Sequence, residues 1–66
     1  IVHENIPNMI GQISTLFAQS NTNIENLFNK SRGKWAYTAI DIETDIDDAL
    51  IAQLRSIPGI VFVRVI

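Results

Sequence analysis

The sequence has no cysteine, so no disulfide can staple its fold and no thiolate is available as a metal ligand. A cysteine-free chain fits a reducing compartment, and we expect a cytoplasmic location. It also lacks an apolar run near the roughly 20 residues that a membrane span needs, and it has no basic segment followed by an apolar one. We therefore expect a soluble chain that has no membrane partner.

Positive charge is scarce, since five Lys and Arg stand against seven Asp and Glu, for a formal net charge of -2. Nucleic-acid surfaces draw on clustered Lys and Arg, so we expect no nucleic-acid partner. Lys30, Arg32 and Lys34 do cluster around Gly33. That pattern predicts a solvated hairpin tip.

The chain is 66 residues long and 47% apolar. A chain of this size hides only about 60% of the surface that its unfolded form exposes, so it makes one marginal domain over residues 1–66. It starts inside an apolar strand without an initiator Met. We expect it to be a piece of a longer protein.

Apolar periodicity predicts six elements. Strands are predicted at residues 1–3, 24–29, 35–43 and 60–66, and a turn is predicted at 30–34. A first helix runs from residue 7 and fails near 20–22, because its apolar residues repeat every three or four positions: Met9, Ile10, Ile13, Leu16 and Phe17. A second helix, capped by Thr44 or Asp45 and stopped by Pro58-Gly59, buries Ile46, Leu50, Leu54 and Ile57.

Alternation within the strands predicts which side chains face the helices. In the second strand Ile24 and Phe28 should share a face. The third strand should turn Ala36, Thr38, Ile40 and Ile42 inward, and the last should turn Val61, Val63 and Val65 inward and Ile60, Phe62, Arg64 and Ile66 outward. The opposite face of the sheet then carries Trp35, Tyr37 and Phe62, either as a contact with another domain or chain or as tolerated surface exposure.

The order strand, helix, strand, strand, helix, strand is the split βαβ arrangement. Right-handed crossovers then give an α+β, ferredoxin-like sandwich, with a four-stranded antiparallel sheet of order 4-1-3-2 and two helices on one face.

The stretch from His3 to Asn8 puts an imidazole, two amides and a proline at the start of the first helix. A helix start has unpartnered N–H groups and partial positive charge, so the stretch can be a loop that binds a carboxylate or phosphate. The alternative is structural: Asn5 caps the helix, Pro7 lies in its first turn, and His3 is a half-buried strand residue.

The run from His3 to Ile10, His-Glu-Asn-Ile-Pro-Asn-Met-Ile, resembles an ACT domain. The resemblance continues through Leu16-Phe17-Ala18, Asn21-Thr22-Asn23-Ile24, residues 37–43 and Ile57-Pro58-Gly59-Ile60. It is strongest to the regulatory domain at the carboxyl end of bacterial D-3-phosphoglycerate dehydrogenases.

The resemblance implies a regulatory module that binds L-serine, or a similar small amino acid, and slows the first step of serine biosynthesis. The ligand contacts would fall on His3, Asn5 and Asn23, with backbone from Ile6, Asn8 and Met9. It also implies no cofactor in this domain, NAD in the catalytic part of the parent enzyme, and the catalytic domains of the same chain as partners. The family usually has Gly where Asn8 stands; Asn tolerates left-handed backbone angles, but its side chain would crowd the pocket.

Topology predicts how these residues could meet. The first two strands run parallel, which separates Asn5 from Asn23 by about 20 Å along the sheet. A two-fold partner joined through the edge of the second strand would bring its Asn23 to this Asn5. We therefore expect self-association at that edge, with the site shared between two copies.

Other functions find little support in the sequence. One His, no Cys and no nucleophile motif argue against an enzyme within these residues. No arginine marks a phosphate loop, no cysteine pair marks a metal carrier, and Trp35, Tyr37 and Phe62 lack the basic surround of an RNA platform. The rival to serine binding is an ACT module that only dimerises, its pocket closed by Asn8.

Overall fold

The computed structural model describes residues 1–66. Its elements follow the predicted order: β1 (Val2–Glu4), α1 (Met9–Gln19), β2 (Ile24–Arg32), β3 (Trp35–Ile42), α2 (Asp48–Arg55) and β4 (Ile60–Phe62). The four strands form one sheet of order β2-β3-β1-β4 in which every neighbouring pair is antiparallel. The predicted ferredoxin-like α+β fold is confirmed, since this order is 4-1-3-2 read from the other edge.

Both helices pack on one face of the sheet, over the inward residues of β3. The apolar stripe of α1 buries Met9, Ile13 and Phe17, and that of α2 buries Leu50 and Leu54. Ile57 and Val63 complete the buried cluster, and Ile24, Ile40 and Ile42 pack against it from the sheet. The three-and-four spacing in the sequence therefore identified the core face of each helix.

Helix α1 begins at Met9 rather than Pro7, and its N-cap is Asn8, not Asn5. Asn8 has φ 65°, a left-handed conformation in which its side chain makes no capping hydrogen bond. The prediction of an Asn5 cap was wrong because the Asn5 side chain bonds instead to the β2–β3 turn. The helix ends at Gln19 with Ser20 as its C-cap, which agrees with the predicted end near residues 20–22.

Strand β2 runs to Arg32, so the predicted turn at 30–34 shrinks to Gly33 and Lys34. Gly33 has φ 62°, which suits the first central position of a two-residue hairpin turn. The basic cluster is exposed, as predicted, but two of its members lie on the strand rather than in the turn.

A bulge near the start of β2 changes which side chains share a face. Ile24 lies opposite Ile42 and Asn26 opposite Asp41, so Glu25 is an extra residue. Beyond it Phe28 lies opposite Ala39, on the open face, while Ile24 stays on the helix face. The prediction that Ile24 and Phe28 share a face was wrong, because one extra residue inverts the alternation.

A second bulge lies in β4 and changes which of its side chains face the helices. Val2 lies opposite Phe62 and His3 opposite Ile60, which leaves Val61 as the extra residue. Ile60 therefore turns toward the helices and Val61 is 59% exposed, the reverse of the prediction. Regular pairing ends at Phe62, and of the tail only Val63 is buried, so Val65 was also wrongly placed inward.

Two further boundaries differ from the prediction. Strand β3 ends at Ile42 rather than Glu43. Helix α2 is capped by Asp47, whose carboxylate accepts from the Ala49 N–H at 3.0 Å, rather than by Thr44 or Asp45. Several neighbouring acidic residues can cap, and tertiary packing selects among them. Neither helix has the length and apolar character needed to cross a membrane.

We expect Ile13→Val to lower the free energy of unfolding by about 0.5–1.5 kcal/mol, because Ile13 is fully buried and the lost methylene leaves a cavity. The matched control is Ile66→Val at a fully exposed position, which should be neutral. Urea unfolding followed by Trp35 fluorescence measures both. Equal losses in the two variants would contradict the assigned core.

Candidate functional site

The start of α1 carries free backbone donors next to the predicted binding loop. The Gln12 N–H donates to the Asn8 carbonyl at 3.0 Å, and this bond opens the helical ladder. The 13 backbone hydrogen bonds outside regular elements include none from the N–H groups of Met9, Ile10 or Gly11. These donors, together with the positive end of the helix dipole, suit a carboxylate.

Asn8 partly covers this helix start. A Cβ added to Gly11 would lie 2.3 Å from Asn8 Oδ1, so the Asn8 side chain lies across the first turn in space that only glycine leaves open. Asn8 itself adopts a left-handed backbone conformation, φ 65°, which asparagine tolerates better than most residues. Its side chain adds a polar group beside the free N–H donors.

His3 is buried, with 2% of its surface exposed, and both ring nitrogens are bonded inside the chain. Nδ1 donates to the Glu4 carbonyl at 2.9 Å, and Nε2 lies 2.7 Å from Thr38 Oγ1. Thr38 is itself fully buried, and its hydroxyl lies 2.9 Å from Asn29 Oδ1. The alternative prediction of a half-buried His3 was therefore wrong, since the residue is buried. In this conformation neither ring nitrogen is free to bind a ligand.

Asn5 joins the loop to the β2–β3 turn. Its backbone N–H donates to the Lys34 carbonyl at 2.7 Å, and its side-chain Nδ2 donates to the Gly33 carbonyl at 3.0 Å. Asn5 is exposed, and these bonds leave its Oδ1 directed at no donor of the chain. An amide oxygen of this kind can accept from an ammonium group.

Asn23 lies at the other end of the sheet. Glu4, just before Asn5, is opposite Trp35, whereas Ile24, just after Asn23, is opposite Ile42 at the far end of β3. The intervening length of β3 separates the two amides by about 20 Å. The structure thus places His3, Asn5 and Asn8 at one end of the sheet and the exposed Asn23 at the other.

Two clefts of the structure lie away from the predicted site. One, ≈ 440 Å³, runs between the helices and is lined mainly by polar side chains; it includes Asn8 but neither His3 nor Asn5. The other, ≈ 460 Å³, lies between β3 and the carboxyl-terminal tail. There, burial and to a smaller extent Arg64 lower the pKa of the Ile1 α-amino group. Neither of these two clefts encloses His3 or Asn5.

Strand β2 is an edge strand whose outer side is open. It pairs only with β3, and all its residues after Ile24 are exposed. Because the pair Arg32–Trp35 closes the hairpin, the backbone groups of Leu27, Asn29 and Ser31 alternate to the outer side. A long edge with open backbone groups can pair with another strand, although the bulge at Glu25 and the charges of Lys30 and Arg32 restrict which strand fits it.

The sequence analysis did not identify the roles of Thr38 and Asn29. A signal was present, because Thr38 is the one polar residue on the inward face of β3 and a buried hydroxyl requires a partner. Its link to His3 depends on strand register, which the sequence does not give. No cluster of three His, Cys, Asp or Glu side chains is placed to hold a metal ion.

Comparison with known proteins gives one informative relative. The chain is 29% identical over 65 residues to D-3-phosphoglycerate dehydrogenase of Haemophilus influenzae. This alignment covers 98% of the chain but spans only 16% of that protein's length. No family model matches the chain. The similarity is distant and confined to a segment the size of a small domain, which fits a regulatory domain.

The contact between Asn8 and Gly11 predicts non-additive stability effects. Asn8→Gly should stabilise by about 0.5–1 kcal/mol, because glycine accepts the left-handed backbone without cost. Gly11→Ala should yield its full helix-propensity gain of about 1 kcal/mol only when Asn8 is already Gly, since otherwise the new methyl meets Asn8 Oδ1. Urea unfolding of both single variants and the double variant measures the coupling; strict additivity would contradict the contact.

Proposed function

We propose that this chain is an ACT-type regulatory module in which two copies bind L-serine at a shared seam and thereby inhibit D-3-phosphoglycerate dehydrogenase. The catalytic, NAD-using domains would belong to the same longer chain. The observation that supports the proposal most directly is the separation of Asn5 from Asn23, which lie at opposite ends of the sheet. The similarity to a D-3-phosphoglycerate dehydrogenase over 98% of the chain supports the choice of enzyme.

The chemistry of the helix start supports an amino acid as ligand. A free amino acid offers a carboxylate and an ammonium. The N–H groups of Met9, Ile10 and Gly11 are donors for the carboxylate, and the Oδ1 of Asn5 is an acceptor for the ammonium. A serine hydroxyl would find both a donor and an acceptor in the amide of Asn23 from a second copy.

The charges of the open edge favour antiparallel pairing of two copies. Placing Asn23 of one copy level with the Gly33 turn of the other sets Glu25 beside the segment from Lys30 to Arg32, and symmetry repeats the contact. Opposite charges on neighbouring strands stabilise a pair, whereas a parallel arrangement would place like charges together. The geometry that completes the site is thus also the one that its charges prefer.

Regulation would follow from a change in how the two copies associate. A ligand held by residues of both copies binds only the paired state, so it stabilises that state by mass action. Couplings of this kind typically amount to about 1–3 kcal/mol. Such a change at the seam is the signal that we propose reaches the catalytic domains.

The second candidate is a module that dimerises at the same edge without an amino-acid ligand, or one that binds another small amino acid. Two observations favour it: both nitrogens of His3 are bonded within the chain, and Asn8 Oδ1 lies across the helix start. For His3 to contact a ligand carboxylate, its ring would first have to release Thr38 or the Glu4 carbonyl.

Titration calorimetry with L-serine tests the proposal directly. We expect saturable heat, and a roughly 10- to 100-fold weaker affinity for Asn23→Ala, because a bond to a charged or polar ligand group contributes about 1.5–3 kcal/mol. The matched control is Asn26→Ala, an exposed amide on the same strand that lies level with Asp41.

Glycine, L-alanine and L-threonine should be titrated in parallel to distinguish serine from other small amino acids. Absence of heat with all of them, while the chain still dimerises, would establish a module that only dimerises. Heat with one of the other amino acids but not with serine would establish a module for that amino acid. An unchanged serine affinity in Asn23→Ala would rule out the shared site.

Charge reversal tests the edge independently of any ligand. Glu25→Lys and Lys30→Glu should each weaken self-association, measured by sedimentation equilibrium, by about 3- to 30-fold, since two symmetric contacts of about 0.3–1 kcal/mol are lost. The double variant should recover much of the loss. Glu43→Lys, an exposed charge reversal beyond β3, is the control; equal weakening by that variant would reject the proposed register.

A further inference from the structure

A chain of hydrogen bonds crosses three strands, from the buried interior to the open edge. It runs from the Glu4 carbonyl through His3 on β1 and Thr38 on β3 to Asn29 on β2. His3 and Thr38 are almost fully buried, whereas Asn29 is exposed. The state of a buried imidazole is thus connected to an amide on the strand that we expect to meet a second copy.

The groups at the two ends of this hydrogen-bond chain determine which atoms between them carry a proton. The Glu4 carbonyl can only accept, so Nδ1 of His3 carries a proton. With Oδ1 of Asn29 facing Thr38, the threonine hydroxyl must donate to Asn29. Thr38 then has only lone pairs to offer His3, so Nε2 must also carry a proton. This arrangement therefore requires the imidazolium form of His3.

The neutral ring requires the opposite order. With its proton on Nδ1, Nε2 accepts the Thr38 hydroxyl proton, and Thr38 can only accept from Asn29. The Asn29 amide must then rotate by about 180° to present Nδ2 to Thr38. The amide atom that does not face Thr38 then changes from Nδ2 to Oδ1, so the exposed side chain of Asn29 offers an acceptor in place of a donor.

Few charged groups lie close enough to the His3 ring to influence its protonation. Helix α1, on the same face of the sheet, has no titratable residue, and the cross-strand neighbours Ala36 and Ile60 are apolar. Glu4 is adjacent in sequence and exposed, and on β2 the charged side chains alternate to the open face. Charged groups nearby include Asp48 and Arg55 at the ends of α2, where Arg55 bonds the Val63 carbonyl, and the Ile1 α-amino group, which donates to the Thr38 carbonyl at 2.8 Å. Burial and, to a smaller extent, Arg64 lower the pKa of that amino group.

We propose that Asn29 is a further recognition residue of the β2 edge, and that His3, acting through Thr38, sets whether it offers a donor or an acceptor to an adjoining strand of a second copy. The coupling does not require amino-acid binding. His3 and Thr38 are positioning residues in it, and Asn29 is the group that meets the partner.

Nuclear magnetic resonance of the ¹⁵N-labelled chain without ligand tests the coupling. Between about pH 5 and about pH 8, the range in which histidines commonly change charge, the ring nitrogens of His3 report its protonation. We expect the Asn29 side-chain amide signals to shift with the same midpoint. The Asn26 amide, on the same strand but outside the network, should not follow it.

Substituting the middle residue separates the hydrogen-bonded link from a through-space effect. In Thr38→Val the Asn29 signals should no longer follow His3, and in Thr38→Ser, which keeps the hydroxyl, they should. A His3 ring that keeps one protonation state across the range would overturn the proposal, as would an Asn29 response that persists in Thr38→Val.

A variant at the exposed Asn29 provides a second test in case Thr38→Val, a change in the interior, does not fold. Asn29→Asp has only acceptors at neutral pH, so it should hold the network in the order in which Thr38 donates to residue 29 and both ring nitrogens of His3 carry a proton. Ser31→Asp, on the same face of β2 and level with Ala36 opposite His3, measures the through-space effect of a carboxylate alone. Equal ring-nitrogen signals of His3 in these two variants at neutral pH would overturn the relay.

Discussion

Strand β3 holds this small fold together, because it pairs with both β2 and β1 and turns Ile40 and Ile42 onto the buried cluster of the helices. β2 and β1 are antiparallel to β3 and therefore parallel to each other. This fixed direction places the end of β1 and the start of β2 at opposite ends of the sheet. The candidate site depends on this arrangement, since it decides which polar residues a single chain can bring together.

The same strand carries the one buried polar link. Two polar side chains, His3 and Thr38, interrupt an otherwise apolar interior, and each is satisfied by the other. Leaving either without a partner would cost about 1–3 kcal/mol, a large share of the stability of so small a domain. The link also leads outward to Asn29, so the interior and the open edge are parts of one network.

The candidate site is therefore split in two. One end of the sheet carries the free N–H donors and the Asn5 amide, and the opposite end carries Asn23. Neither end encloses a ligand. A second copy along the β2 edge would join them, and a ligand at such a junction acts on association directly, so no conformational relay through the core is needed.

The sequence by itself determined the order of the elements, the core face of each helix and the inward face of β3, because these follow from local periodicity. It also placed Asn5 and Asn23 at opposite ends, since chain direction follows from that order. Tertiary structure decided the bulges at Glu25 and Val61, the cap at Asn8 and the bonding of His3 to Thr38. These depend on register between distant strands, and a shift of one residue, which no local pattern records, reverses every side chain beyond it.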